Sequence, residues 1–254
     1  MITEGASDLQ FSISGSKSES NRALILQAFA SDRIVIENLS DSDDTRALIQ
    51  ALELAHESSG LSSGSGESLS SDSIAGSLSS SSSSSSSGSG SSVGSSSLSS
   101  SSSNSNSSSD SSSSASLSSS SEIKIDCGHA GSTFRFLTAY FAGLAGKEII
   151  LTGSEQLQQR PMAPLIAALQ ALGADITYLA QEGFAPIRIS GKNLQASNVI
   201  EIDSSKSSQY VSALLLIGSQ ISGGLNLHLS QSRVSNAYIQ MTIALLKQAG
   251  INVS

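Results

Sequence analysis

Apolar positions along the chain fall into short blocks whose period switches between helix and strand. The run Ala23-Leu24-Ile25-Leu26-Gln27-Ala28-Phe29-Ala30 predicts a helix over 21–30. Its leader, Gly15-Ser16-Lys17-Ser18-Glu19-Ser20-Asn21-Arg22, has the composition of a helix start. A strand-like run follows over 33–39. The acidic turn Asp41-Ser42-Asp43-Asp44-Thr45 then opens a second helix over 46–54. The pattern recurs. Gly131-Ser132-Thr133 leads a helix over 134–144, followed by a strand over 148–152 and a loop ending in Arg160-Pro161. Next come a helix over 162–172 that stops at Gly173 and short strands over 175–179 and 186–189. A third round starts at Ser207-Ser208-Gln209, with a helix over 210–218 and a strand over 225–229. It ends in a loop over 230–236, a helix over 237–249 and a new strand from Ile251. The last helix carries Ile239, Met241, Ile243, Ala244, Leu245 and Leu246, a wide apolar face that predicts extensive burial.

Each round reads helix, strand, helix, strand, so the chain predicts an α/β fold with crossover connections. One region breaks the pattern. From about 58 to 121 the sequence is almost wholly Ser, which cannot bury enough apolar surface to offset the entropy of ordering. It reads as a flexible Gly/Ser-type segment, standing where the first round would need its closing strands.

Composition narrows the function classes. At 254 residues the chain suffices for one large domain or two small ones. The net charge of −8 argues against a broad nucleic-acid surface, though not against a local basic pocket. No apolar run is long enough to span a bilayer, and the first residues do not begin a secretory signal. A lone Cys127 forms no disulfide framework and reads as a packing residue rather than a nucleophile. His56, His129 and His228 lack metal-type spacing, so no metal site is expected. A cytoplasmic protein is the simplest reading.

The chemistry concentrates at the three helix starts. The first N–H groups of a helix lack internal partners, and its dipole is positive there. Hydroxyls and basic groups gathered at such a point suit an anion. Each start alone reads equally well as an ordinary cap. Three in register, with Lys17, Arg22, Arg135 and Arg160 nearby, predict one anion-attracting face if the rounds pack about a pseudo-threefold axis.

These residues resemble a known family. Gly15-Ser16-Lys17-Ser18-x-Ser20-Asn21-Arg22, Asp41-Ser42-Asp43-Asp44, Ala130-Gly131-Ser132-x-x-Arg135-Phe136-Leu137, Arg160-Pro161-Met162, Ser207-Ser208-Gln209-Tyr210 and Tyr238-Ile239 occur in one order. Each motif is weak alone and the ordered set is specific. Together they resemble 5-enolpyruvylshikimate-3-phosphate synthase, the 3-phosphoshikimate 1-carboxyvinyltransferases. The resemblance implies an inside-out α/β barrel of two lobes, each of three βαβαββ units, with this chain as the N-terminal lobe. Segment 1–15 would then be a strand of the other lobe, with units at 16–57, 122–190 and 191–254, and the Ser-rich tract at 58–121. It implies transfer of the enolpyruvyl group of phosphoenolpyruvate to the 5-hydroxyl of shikimate 3-phosphate, without metal or cofactor, by an enzyme monomeric at full length.

Carried over residue by residue, the resemblance places Lys17 on both substrates and Ser18 and Arg22 on the shikimate phosphate side. Gly131 and Arg160 hold phosphoenolpyruvate, with Arg135 in support. Ser207, Ser208 and Ser235 bind the shikimate phosphate, Gln209 bridges the ligands and Tyr238 lines the pocket. The family's proton-moving Asp, Lys and Glu belong to the second lobe, so no catalytic residue is expected here and the chain alone should bind without turnover. Departures are His129 where many members have Asn, Ser132 for Thr, Asn236-Ala237 for a basic residue and Pro, and Gln240 for Asp. His129 reads either as a hydrogen-bond donor or as a loop residue away from the ligand. Two alternatives are a non-catalytic half-domain for anionic metabolites and the sister family acting on UDP-N-acetylglucosamine. The latter usually has Lys-Asn in place of Lys17-Ser18.

Overall fold

A computed structural model describes residues 14–30, 34–57, 122–196, 198–203, 207–230 and 236–254. The expectations for 1–13, Arg33, the Ser-rich tract and Ser235 lie outside the described residues.

Two helices open the fold: α1 (Lys17–Ala30) and α2 (Asp43–Glu57). Both start earlier than expected, because polar leaders became first turns. In α1 the Ser20 N–H donates to Ser16 O at 2.9 Å, which puts Lys17 and Ser18 inside the helix. In α2 the Ser42 hydroxyl accepts from the Thr45 N–H at 3.4 Å, and Asp43 and Asp44 sit at the positive end of the dipole. The strand expected at 33–39 does not form over 34–39. Ile34 and Ile36 pack on the core while Val35 is 84% exposed, so the in–out alternation persists. No described strand pairs with it, and a strand is defined by its ladder partner.

A four-stranded sheet follows. Its strands are β1 (Ile123–Asp126), β2 (Glu148–Thr152), β3 (Asp175–Tyr178) and β4 (Ile187–Ser190), in the order β1-β2-β4-β3. β1 and β2 are parallel, so a crossover must join them, and α3 (Gly131–Ala142) supplies it. β4 runs antiparallel to both β2 and β3, with Ile149 opposite Ile189 and Leu151 opposite Ile187. Between β2 and β3 lie α4 (Glu155–Gln158) and α5 (Ala163–Ala171). Gly173 ends α5 at φ 92°, as its composition implied. The third round gives β5 (Ile200–Asp203), α6 (Ser208–Ile217), β6 (Leu227–Ser230) and α7 (Asn236–Gln248), with β5 parallel to β6. The strand expected from Ile251 is not formed within 251–254, where no described strand flanks it.

Helix α3 is buried on nearly every side, from Thr133 through Ala142, and packs against α6. Phe134, Phe136, Leu137 and Phe141 of α3 join Ile149, Leu151, Ile187 and Ile189 of the sheet and Leu165 and Leu169 of α5 in one core. Burying each such side chain contributes about 1.5–3 kcal/mol, which fixes α3 as the central strut. Helix α1 packs against α2 and α7. The wide buried face expected of the last helix is narrower in fact. Only Ile239, Thr242 and Leu246 of α7 are buried, because α1 and α6 cover one side of it. No described helix is long and apolar enough to cross a membrane.

Candidate functional site

The N-terminal ends of α1, α3 and α6 meet at one cavity of about 480 Å³. Its lining includes Lys17, Ser18 and Arg22 from α1, and Ser132 and Arg135 from α3. Ser207, Ser208 and Gln209 at the start of α6 join them, with Arg160 from the loop before α5 and Tyr238 from α7. The three starts differ locally. On α6 the Ser207 hydroxyl accepts from the Gln209 N–H at 3.1 Å, an ordinary cap. On α3 the cap position is Ala130, which has no side-chain acceptor, and Ser132 and Thr133 turn instead to α2. The expected hydroxyl cap of α3 is therefore replaced by a first turn that no side chain caps.

Asp44 organises the α1–α3 seam. Its carboxylate accepts from the Ser132 hydroxyl at 3.0 Å and lies 3.5 Å from Lys17 Nζ, while its carbonyl accepts from Thr133 Oγ1 at 2.7 Å. Asn21, fully buried, accepts from Thr45 Oγ1 at 2.8 Å and donates to Thr133 Oγ1 at 3.4 Å. These contacts tie the starts of α1, α2 and α3 together.

Two guanidinium groups are held inside. Arg22 is 3% exposed and lies over the rings of Phe136 and Tyr238, 5.2 and 5.8 Å from their centroids. Desolvation draws it down to about 10, so it remains a cation at neutral pH. Arg135 Nη1 donates to Gly131 O and to Gln209 Oε1, each at 2.9 Å, and its Nε is buried with no partner among the described residues. Burial also lowers Arg135, with Tyr210 opposing the shift and Arg160 adding to it. A Cβ on Gly131 would fall 2.7 Å from Arg160 Nη1 and 2.8 Å from Arg135 Nη1, so both cations press onto that glycine. Tyr210 donates to Pro161 O at 2.5 Å and anchors the loop that carries Arg160. Four cations, hydroxyls and helix N-termini on one cavity are a combination suited to a multiply charged anion.

The comparisons with known proteins fit this geometry. The family model for EPSP synthase (3-phosphoshikimate 1-carboxyvinyltransferase) matches residues 6–78 and 97–254. The chain belongs to the EPSP synthase family. The 3-phosphoshikimate 1-carboxyvinyltransferase of Bacteroides fragilis strain YCH46 is 34% identical over 239 residues, covering 94% of this chain and 42% of that protein. The Pentafunctional AROM polypeptide of Schizosaccharomyces pombe is 30% identical over 257 residues, covering all of this chain and 14% of that protein. An EPSP synthase structure from Acinetobacter baumannii superposes with a TM-score of 0.58 at 17% identity, covering 96% of this chain and 44% of that one. It shows a shared mixed α/β fold. The chain thus spans less than half the length of these relatives.

Within the EPSP synthase pattern, the site residues expected from sequence and described here line this cavity, except Gly131. Gly131 is not in the lining and packs against the Arg135 and Arg160 guanidinium groups that are. Ser235 lies outside the described residues. His129 is not in the lining. Its Nδ1 pairs with the Ser154 hydroxyl at 2.8 Å, which favours the loop reading over the ligand-donor one. Cys127 is 2% exposed, and burial together with Asp126 pushes its thiol up to about 12, consistent with packing. Sequence reasoning did not place Asn21, Ser132 and Phe136 in the lining and gave Asp44 no role. All four belong to the motifs that carry the resemblance, so their signal was present. For Asp44 only the fold supplies the proximity. Among the described residues no cluster of three or more His, Cys, Asp or Glu is placed to hold a metal.

Proposed function

We propose that this chain forms the shikimate 3-phosphate-binding part of an enolpyruvyl transferase. The whole enzyme would join the enolpyruvyl group of phosphoenolpyruvate to the 5-hydroxyl of shikimate 3-phosphate and release phosphate. The observation that carries the reading is the cavity at the junction of three helix starts, in a chain of the EPSP synthase family. Ser207, Ser208 and Ser235 take the shikimate phosphate and Arg22 and Ser18 lie on the same side. Arg160 and Gly131, backed by Arg135, take phosphoenolpyruvate, and Lys17 is shared. Gln209 bridges the two ligands and Tyr238 flanks the ring. Holding two anions in reacting geometry supplies much of the rate in such a transfer.

The same reading takes the fold as one lobe of an inside-out barrel built from three βαβαββ units, at 16–57, 122–190 and 191–254. Local geometry supports the repeat. β1 and β5 read Ile-Lys-Ile-Asp and Ile-Glu-Ile-Asp, and their closing Asp126 and Asp203 stand opposite Thr152 and Ser230. α5 and α7 end alike. Gly173 donates to Gln170 O and Ala174 to Leu169 O, while Gly250 donates to Lys247 O and Ile251 to Leu246 O, all within 2.9–3.0 Å.

Among the described residues the cavity is lined by no carboxylate and no histidine. Proton transfer needs an acid or base within reach of the reacting atoms, and the resemblance assigns that step to an Asp, a Lys and a Glu of the family's second lobe. The 254-residue chain is therefore expected to bind shikimate 3-phosphate in a calorimetric titration and to release no phosphate when phosphoenolpyruvate is added. Absence of heat with shikimate 3-phosphate sinks the assignment, and saturable binding of UDP-N-acetylglucosamine instead transfers it to the sister activity. Phosphate release by the chain alone would overturn the division of labour.

A further inference from the structure

Arg22 carries a buried positive charge with no carboxylate paired to it among the described residues. Its Nε donates to Thr242 Oγ1 at 2.7 Å, its Nη1 to Ser18 O at 2.7 Å and its Nη2 to Ser212 Oγ at 3.0 Å. Thr242 and Ser212 are 0% exposed and lie 3.0 Å apart, and Thr242 Oγ1 is also 2.8 Å from Tyr238 O. The Thr242 hydroxyl therefore has an acceptor for its own proton while receiving the Arg22 N–H. The cradle spans α1, α6 and α7, and every partner in it is neutral. A guanidinium has five N–H donors. Three are fixed here, leaving one on each terminal nitrogen of a side chain that lines the cavity.

Desolvating a cation without a counter-charge costs several kcal/mol, and a carboxylate at position 242 or 212 would offset that cost. It would also neutralise the charge an anionic ligand must meet. Hydroxyls orient the guanidinium and leave its charge uncompensated. We propose that Thr242 and Ser212 are positioning residues that act through Arg22, holding it as a pre-aimed cation for the anionic substrate; the substrate's identity rests on the reading above. Neither residue need touch the ligand.

The test separates the cradle from the ligand. In the full 254-residue chain the Arg22 Nε–H is expected as a resolved, slowly exchanging ¹⁵N signal, assigned by its loss in Arg22→Ala. Thr242→Ser keeps the acceptor and should keep the signal; Thr242→Val has nearly the same shape without it and should lose the protection. Persistence of the protected signal in Thr242→Val overturns the cradle. In titrations with shikimate 3-phosphate, Thr242→Val should weaken binding about tenfold, with Thr242→Ser restoring it to within about twofold. In an Arg22→Ala background, Thr242→Val should change affinity no further, because both act through one group. An equal loss in both backgrounds marks Thr242 as merely structural and overturns the proposal. Should Thr242→Val fail to fold, Ser212→Ala removes the Nη2 acceptor while Thr242 still holds Nε, so it is read by affinity: weaker binding in the parent with no further loss in Arg22→Ala supports the proposal, and unchanged binding in the parent overturns it. A wild-type chain that ignores shikimate 3-phosphate refutes the substrate assignment, while the Nε–H signal still decides the cradle.

Discussion

At the residue scale, the two glycines of the helix-start motifs are under different constraints. A Cβ at Gly15 would fall 1.8 Å from Asn38 O, a backbone atom in a turn where Asn38 adopts φ 54°. A Cβ at Gly131 meets only the far ends of two arginines, at 2.7 and 2.8 Å. Backbone can yield only by shifting the α1–α2 connection, whereas a guanidinium can swing aside. Gly15→Ala should therefore lose stability by about 1–3 kcal/mol in urea melts. Gly131→Ala should melt within about 0.5 kcal/mol of the parent and bind phosphoenolpyruvate more weakly in the presence of shikimate 3-phosphate. A large stability loss in Gly131→Ala with unchanged affinity would assign that glycine to the fold. Both positions were legible as parts of motifs, yet not their opposite dependence. Sequence spacing records that a glycine is present, and the atoms it would meet come from segments far away in the chain.

At the element scale, most helices and four of the six described strands were legible. Helices α1, α2, α3, α5, α6 and α7 follow from apolar runs long enough to establish a period. β2, β3, β4 and β6 follow from their expected runs, whereas β1, β5 and the four-residue α4 were not read, although β3, β4 and β6 are no longer than β1 and β5. The recurrence of Ile-x-Ile-Asp before α3 and α6 was the available signal for β1 and β5. The run 34–39 failed in the opposite sense, since its alternation is real but its ladder partner is not among the described residues. Loop placement was beyond sequence as well, and Tyr210 illustrates why. From spacing it is one more apolar residue on α6, yet its hydroxyl crosses to Pro161 O and its ring lies 5.4 Å from the Arg135 guanidinium. Tyr210→Phe keeps the ring and removes the bond. The expected loss is about 0.5–1.5 kcal/mol in chemical denaturation, with weaker phosphoenolpyruvate binding because Arg160 loses its anchored loop. If affinity for that ligand stays at the parental value while stability falls, the bond serves packing alone.

At the scale of the whole molecule, the net charge of −8 and the cationic cavity pull in opposite directions on an anionic ligand. The contest is settled by distance. A ligand charge about 4 Å from a guanidinium at an effective dielectric constant near 20 gains about 4 kcal/mol. Acidic groups beyond the screening length of about 8 Å at physiological ionic strength have most of their repulsion removed, which leaves Asp44, 3.5 Å from Lys17, as a nearby opposing charge. Arg22 and Arg135 are buried, which protects their attraction from salt, while Lys17 is half exposed and does not share that protection. A second groove, about 260 Å³ between α5 and β5, carries Glu201 and Asp203 and, among the described residues, no basic side chain, a lining unsuited to an anion. Affinity for shikimate 3-phosphate should accordingly fall by a few-fold between about 50 and about 500 mM NaCl, the exposed part of the attraction being lost. Arg22→Ala should steepen that dependence, since the remaining attraction then leans on Lys17 and other less buried cations. If affinity rose with salt, surface repulsion would dominate the local cations, and the cavity's charge would be serving something other than capture of an anion.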